Sequence, residues 1–183
     1  MDSMTFLLFG ATGDLAKRKI YPALYDLFSN QNIAQSLSII GIGRRLMSDM
    51  EFQTKVEQSL ATFSRISTDD ESGVEEFIST FRYCQLNTAN IEDYQDLLRL
   101  VKRRETELNI PENRMFYLSV IPEVFDVIAL NIKESGLWAT KGLNRLIIEK
   151  PFGYHVWLHK IVYVISIPFF AWYSTTRRMS LFK

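Results

Sequence analysis

Residues 5–17, TFLLFGATGDLAK, join a continuous apolar run to a glycine-containing loop, and this stretch decides the fold. A short apolar run without alternation is typical of a strand buried on both faces of a parallel sheet. Gly10 allows a tight turn off the strand, Gly13 lets a ligand approach the backbone, and Ala16 is small enough for helix and strand to pack together. This spacing, between a strand and a helix, is that of loops that bind the pyrophosphate of a dinucleotide at the helix N-terminus.

The rest of the chain alternates apolar runs with segments whose apolar residues repeat at helical spacing. Strands are predicted at residues 5–9, 37–42, 81–86, 114–120 and 144–150. Helices are predicted at residues 14–28, at 91–108, after the helix-start residues Ser48 and Asp49, and after Pro122, with a polar loop or short helix at 68–76. This alternation with short connections predicts an α/β domain with a doubly wound, mostly parallel sheet of the Rossmann type.

The end of the second predicted strand bears on the choice of cofactor. NAD-binding sites of this type usually place an acidic residue there, which holds the ribose 2′-hydroxyl. This chain has Gly43, Arg44 and Arg45 instead. A guanidinium suits a phosphate because its planar fork donates two parallel hydrogen bonds. The sequence therefore predicts NADP rather than NAD, with Arg44 on the 2′-phosphate; the alternative is a solvated surface arginine.

Composition and charge exclude several classes of partner. The 183 residues carry 21 basic and 21 acidic side chains, so no electrostatic attraction to nucleic acid is expected. The longest apolar stretch, residues 161–173, has 13 residues and is too short to span a bilayer. The N-terminus lacks the basic and apolar regions of a signal peptide, and the single cysteine, Cys84, has no partner for an internal disulfide. A cytoplasmic protein is expected, with Cys84 as a small buried residue.

Four segments, in order along the chain, resemble glucose-6-phosphate dehydrogenases. They are FGATGDLAKRKIYPAL at residues 9–24, IGIGR at 40–44, NRMFYLS at 113–119 and IEKPFG at 148–153. The run EKPFG is highly characteristic of the family, and the matches together cover residues 4–153. The resemblance implies an NADP-dependent oxidoreductase of the pentose phosphate pathway, which transfers a hydride from C1 of glucose 6-phosphate to NADP.

The resemblance also implies a set of site residues at the matching positions. The glycine loop would hold the cofactor phosphates, Tyr117 would lie beside the cofactor, and Lys150 would reach both the sugar phosphate and the nicotinamide. The cofactor-binding residues are thus expected to be Gly10, Ala11, Thr12, Gly13, Asp14, Leu15, Ala16, Lys17, Arg44, Tyr117 and Lys150. Lys150 is the expected substrate-binding residue. No catalytic residue is expected, because the family's general base lies in its second domain.

After residue 153 the sequence departs from the family pattern. The family continues with a polar helix, an R-I-D-H-Y-L-G-K motif and a second, α+β domain, and residues 154–183 match none of these. Those residues are rich in aromatic side chains and contain four basic and no acidic residues. We therefore expect an NADP-binding domain at 1–153 and an atypical hydrophobic tail at 154–183. His155 and His159 lie four residues apart but have no third ligand, so no metal site is expected.

Two interpretations of the whole chain stay open. One is a dehydrogenase fragment that binds NADP without turnover and lacks the domain through which family members form homo-oligomers. The other is a non-catalytic NADP-binding module or a gene remnant. A short-chain reductase is disfavoured because no tyrosine is followed four residues later by lysine, and a P-loop kinase because its G-x-x-x-x-G-K-[ST] loop does not occur.

Overall fold

The computed structural model describes residues 3–30, 37–64, 71–150 and 161–165. Strands and helices alternate along the chain, as the sequence predicts. The strands are β1 (Met4–Phe9), β2 (Leu37–Gly43), β3 (Phe81–Gln85), β4 (Arg114–Leu118), β5 (Asn144–Lys150) and β6 (Ile161–Ile165). The α-helices are α1 (Tyr21–Ser29), α2 (Asp49–Phe63), α3 (Glu71–Ser79), α4 (Ile91–Glu107) and α5 (Phe125–Glu134), with a π-helical turn at Ala16–Ile20 and a 3-10 turn at Pro122–Val124.

The strands form one sheet in the order β3-β2-β1-β4-β5-β6. β1 to β5 are all parallel to one another, and β6 runs antiparallel to β5. The central strand β1 pairs with β2 on one side and β4 on the other, so Leu7 lies opposite both Ile40 and Phe116. This is the doubly wound order in which the direction of strand addition reverses beside β1. The predicted fold class is confirmed.

The apolar core lies on both faces of the sheet. All six residues of β1 are buried, and successive side chains point to opposite faces. Phe6 and Leu8 pack on the face covered by α1, α2 and α3, whereas Leu7 and Phe9 pack on the face covered by α4 and α5. A strand with helices on both sides buries side chains on both of its faces, which explains the continuous apolar run at residues 6–9.

Helix α2 begins where the sequence predicts, at a capping box formed by Ser48 and Glu51. The Ser48 hydroxyl accepts a hydrogen bond from the Glu51 amide at 3.2 Å, and the Glu51 carboxylate accepts one from the Ser48 amide at 2.8 Å. These hydrogen bonds hold the pKa of Glu51 below its usual value. The helix predicted after Pro122 is also present, and it is preceded by a 3-10 turn.

The helix that follows the glycine loop differs from the prediction in its geometry. A continuous α-helix is predicted over residues 14–28, but the helical conformation passes through a π-helical turn at Ala16–Ile20 before α1 begins. Pro22, in the first turn of α1, has no amide hydrogen to donate to the carbonyl four residues earlier, and its ring conflicts with that carbonyl in an α-helix. In the π-helical turn the Tyr21 amide donates to the Ala16 carbonyl, and the Lys17 carbonyl accepts a hydrogen bond from the Ser59 hydroxyl of α2 at 2.9 Å.

The sheet contains one strand more than the five predicted. Its sixth strand, β6, comes from residues 154–183, for which no strand is predicted, and its Ile165 pairs with Leu146 of β5. The other residues of that stretch, His155 and His159 among them, lie outside the described residues. Within the described part of the chain, no helix has the length and apolarity needed to cross a membrane. Cys84 of β3 is half-buried, and this burial raises its pKa to about 11.

Candidate functional site

A cleft of about 320 Å³ opens at the carboxyl ends of β1, β2 and β4. It lies beside β1, where the strand order reverses, and this is the position at which open α/β sheets bind their ligands. The residues that follow these three strands, together with those that follow β3, surround it. Its lining residues are Phe9, Gly10, Thr12, Gly13, Ile42, Gly43, Arg44, Leu86, Thr88, Ser119, Val120, Ile121 and Val124.

Gly10 makes the turn that leaves β1, and no other residue type fits there. Its φ of +83° belongs to the left-handed region, and a Cβ atom at this position would lie 2.1 Å from the Ser119 carbonyl oxygen. The amides of Gly10 and Ala11 both donate to the Ile42 carbonyl, at 3.0 and 3.1 Å. The loop is therefore fastened to the end of β2 and pressed against the end of β4.

Gly13 faces the cleft and leaves room for a ligand. A Cβ atom there would meet only the Gly10 carbonyl oxygen, at 3.1 Å, so the space beyond it is open. The Gly13 amide is already used within the loop, because it donates to that same carbonyl at 2.9 Å. Helical conformation begins at Asp14, and the first amides of a helix have no carbonyl partner within it. These amides, together with the positive end of the helix, are the groups that suit a phosphate.

The remaining residues of the predicted loop have different surroundings. Ala11 and Ala16 are buried, Leu15 packs against the core, and Lys17 is half-buried. Asp14 is exposed and forms an ion pair of 2.7 Å with Arg18. Of the eight loop residues from 10 to 17, only Gly10, Thr12 and Gly13 thus line the cleft. The buried members shape the loop, and the cleft members are the ones placed to contact a ligand.

Tyr21 supports this loop from the side of the core. Its side chain is buried between the rings of Phe52 and Phe81, and its hydroxyl donates a hydrogen bond to the Ala11 carbonyl. Burial raises the pKa of Tyr21, so the hydroxyl keeps its proton and stays a donor. The bond turns the Ala11 carbonyl into the core, away from the cleft.

Arg44, at the end of β2, lines the cleft and is exposed. Among the described residues no carboxylate lies within ion-pair distance of it, so its guanidinium is available to an anion. The cleft therefore offers a cation on one side and the start of a helix on the other.

Tyr117 and Lys150, the remaining predicted site residues, lie elsewhere along the sheet. Tyr117 is half-buried on the opposite face from the cleft's apolar wall, with its ring 5.9 Å from that of Phe6, and it does not line the cleft. The backbone of Lys150 ends β5 at the same sheet edge as the cleft, and its side chain lies outside the described part of the structure.

The apolar wall of the cleft is the part that sequence reasoning missed. Leu86, Val120, Ile121 and Val124 form it, and Thr88 lies beside them. Their positions in the sequence could have identified them, since Leu86 directly follows β3 and Val120 lies two residues after β4. Within the part of the chain that the structure describes, no three His, Cys, Asp or Glu side chains come close enough to hold a metal ion.

Several known proteins are similar to this chain. A glucose-6-phosphate 1-dehydrogenase of Bacillus subtilis is 41% identical over 148 residues, which are 81% of this chain and 29% of that protein. The Leuconostoc mesenteroides enzyme of the same name is 39% identical over 145 residues and is likewise covered over 29% of its length. The chain thus spans less than a third of the length of these relatives.

A solved structure agrees with these sequence matches. A glucose-6-phosphate dehydrogenase in complex with its substrate glucose-6-phosphate superposes with a TM-score of 0.75 and 31% identity, over 83% of this chain and 31% of that one. Residues 7–159 match the family model of the glucose-6-phosphate dehydrogenase NAD-binding domain. With the reversed strand order, the Gly10 turn and the open cleft at Gly13, these matches show that the chain belongs to the glucose-6-phosphate dehydrogenase family.

Proposed function

We propose that this chain binds NADP in the cleft between the glycine loop and Arg44. The observation that carries the proposal is the pairing of a space beside Gly13 with an exposed guanidinium at the end of β2. The pyrophosphate would lie at the first turn of the helix that begins at Asp14, where free amides and the helix dipole favour an anion. The adenosine half would lie against the apolar wall.

Arg44 would hold the 2′-phosphate that distinguishes NADP from NAD. Its guanidinium has no carboxylate partner among the described residues, and it lies where other members of this fold class contact the adenosine ribose. Family membership supports a nicotinamide dinucleotide at this site, since the matching family model is that of an NAD-binding domain.

The reaction proposed for the family site is hydride transfer from C1 of glucose 6-phosphate to NADP. Lys150 ends β5 at the same sheet edge as the cleft, and the proposal assigns it to the substrate and the nicotinamide. In the polypeptide of residues 1–183 the proposal is limited to NADP binding without turnover. The competing proposal, a non-catalytic NADP-binding module, predicts the same cofactor contacts and differs in having no role for Lys150.

Arg44→Asp is expected to weaken NADP binding by about tenfold to a hundredfold and to leave NAD binding unchanged or improved. A hydrogen bond to a charged group contributes roughly 1.5–3 kcal/mol, and only NADP has a phosphate at this position. Both cofactors are titrated calorimetrically against the parent and the variant. Arg45→Asp is the matched control, because Arg45 is the exposed neighbour that does not line the cleft. Equal losses for NADP and NAD would contradict the assignment.

Gly13→Val is expected to weaken binding of NAD and NADP alike, by about a hundredfold. The branched side chain would occupy the space beside the helix start and deny the pyrophosphate its hydrogen bonds, which contribute roughly 1.5–3 kcal/mol each. Circular dichroism accompanies the titration to show that the variant is folded. Gly13→Ala is the graded control, since a single Cβ has one close neighbour at 3.1 Å and intrudes less. A folded valine variant that binds normally would refute the phosphate-binding role of the loop.

A further inference from the structure

The loop that carries Arg44 is held beside β3 by hydrogen bonds to three successive backbone carbonyl groups. The Gly43 carbonyl accepts the Leu86 amide at 2.8 Å, the Arg44 carbonyl accepts the Gln85 side-chain amide at 3.3 Å, and the Arg45 carbonyl accepts the Tyr83 hydroxyl at 2.7 Å. Backbone–backbone pairing of β2 and β3 accounts for only the first of these. The other two depend on side chains and hold the backbone on the C-terminal side of the Arg44 Cα atom, whereas the first holds it on the N-terminal side.

Tyr83 reaches this loop by lying along β2. It pairs with Gly41 in the sheet, its ring packs 5.0 Å from that of Phe52, and its hydroxyl passes over Gly43. A Cβ atom at Gly43 would lie 2.6 Å from that hydroxyl oxygen, so the glycine leaves the space that the phenol uses. The ring is buried, and burial raises the pKa of Tyr83, which keeps the hydroxyl a hydrogen-bond donor at neutral pH.

We infer that Tyr83 is a positioning residue that strengthens the preference of this cleft for NADP over NAD, an inference that rests on the proposed function. The Arg44 side chain is exposed, and no carboxylate among the described residues holds it. Among the described residues, the backbone from which it extends is the part of Arg44 that is held in place. A fixed backbone lowers the entropy lost when the guanidinium is ordered on a 2′-phosphate. NAD has no such phosphate and gains nothing from this constraint.

A second tyrosine provides the contrast. Tyr21 donates its hydroxyl to the Ala11 carbonyl of the glycine loop, which would contact the pyrophosphate common to both cofactors. The two hydroxyls thus hold two different loops of one cleft. Removing the Tyr21 hydroxyl should affect NADP and NAD equally, whereas removing the Tyr83 hydroxyl should affect NADP alone.

The test is a titration of NADP and NAD against the 183-residue chain carrying Tyr83→Phe, which keeps the ring and removes one hydroxyl. Because one net hydrogen bond is involved, the NADP dissociation constant should rise roughly three- to tenfold and that of NAD less than about twofold. Tyr21→Phe should leave the ratio of the two constants unchanged. Gln85→Ala, at an exposed position that also supports the loop, should change the ratio in the same direction and provides the test if Tyr83→Phe does not fold.

A double-mutant cycle separates positioning from general loosening of the fold. In an Arg44→Ala background, Tyr83→Phe should cause no further loss of NADP affinity, because its effect acts through Arg44. A further loss equal to that in the parent would overturn the inference, as would a loss shared equally by NADP and NAD. If Arg44→Ala leaves NADP affinity unchanged, the proposed 2′-phosphate site itself fails. If Arg44→Ala weakens NADP binding and the Tyr83→Phe ratio stays at the parent value, the inference about Tyr83 alone is wrong.

Discussion

A preparation of residues 1–183 is expected to oxidise glucose 6-phosphate at least about 10⁴-fold more slowly than a full-length family enzyme. As a hydride leaves C1, the proton of the C1 hydroxyl must also leave, and a positioned general base contributes roughly 10²–10⁴-fold to such a step. The described residues that line the cleft include no histidine, aspartate, glutamate or lysine that could take this proton.

Substrate orientation adds to this loss. Holding two reactants in a productive geometry can lower a barrier by about 7–11 kcal/mol. The chain corresponds to 29% of its Bacillus subtilis relative, so most of that enzyme's residues have no counterpart in this polypeptide. The single candidate substrate residue is Lys150, and one ammonium group cannot fix the pose of a sugar phosphate.

The measurement is the absorbance of NADPH with saturating glucose 6-phosphate and purified chain, with a full-length family enzyme as the positive control. A parallel NADP titration shows that the preparation is folded and binds cofactor, so absence of turnover cannot come from an inert sample. Turnover within a hundredfold of the control would show that this polypeptide completes an active site, and would contradict the proposal of binding without turnover.

Glu105→Ala is expected to destabilise the domain by about 3–5 kcal/mol, a large part of the 5–15 kcal/mol typical of a folded domain. Arg114 at the start of β4 is 1% exposed and Glu105 of α4 is 5% exposed. The Glu105 carboxylate accepts two hydrogen bonds from the guanidinium, both of 2.8 Å, and the Leu137 carbonyl accepts a third at 2.8 Å. Without Glu105 the buried guanidinium keeps its charge and loses its counter-ion.

Urea unfolding measures this loss of stability, and two further variants are compared with Glu105→Ala. Asp96→Ala removes an exposed ion pair with Arg99 on the same helix and should cost less than about 1 kcal/mol. The double variant Glu105→Leu, Arg114→Met replaces the buried pair by apolar side chains and should recover most of the lost stability. A double variant as unstable as Glu105→Ala would show that the pair contributes through its particular hydrogen bonds rather than through charge neutralisation.

The sequence by itself determined the layout of the fold, because the relevant signals are local. The apolar runs within β1 and β2 indicate strands covered on both faces, and the helix-start residues Ser48 and Asp49 indicate the start of α2. The glycine spacing predicted a tight turn between β1 and the helix that follows it, and the structure has this turn at Gly10. Pro22 is also a local signal, because a proline disfavours a continuous α-helix at this position. Helical periodicity alone does not reveal this break.

Only the tertiary structure decided which of the predicted residues face the cleft and how they are held. Gly10 to Lys17 form one motif in sequence, but burial divides them into residues that face the cleft and residues that fix the loop. The apolar wall and the hydrogen bond from Tyr83 to Arg45 join residues that are far apart along the chain. Parallel pairing brings the carboxyl ends of separate strands to one edge, and this juxtaposition depends on the sheet order, which no local pattern of residues encodes.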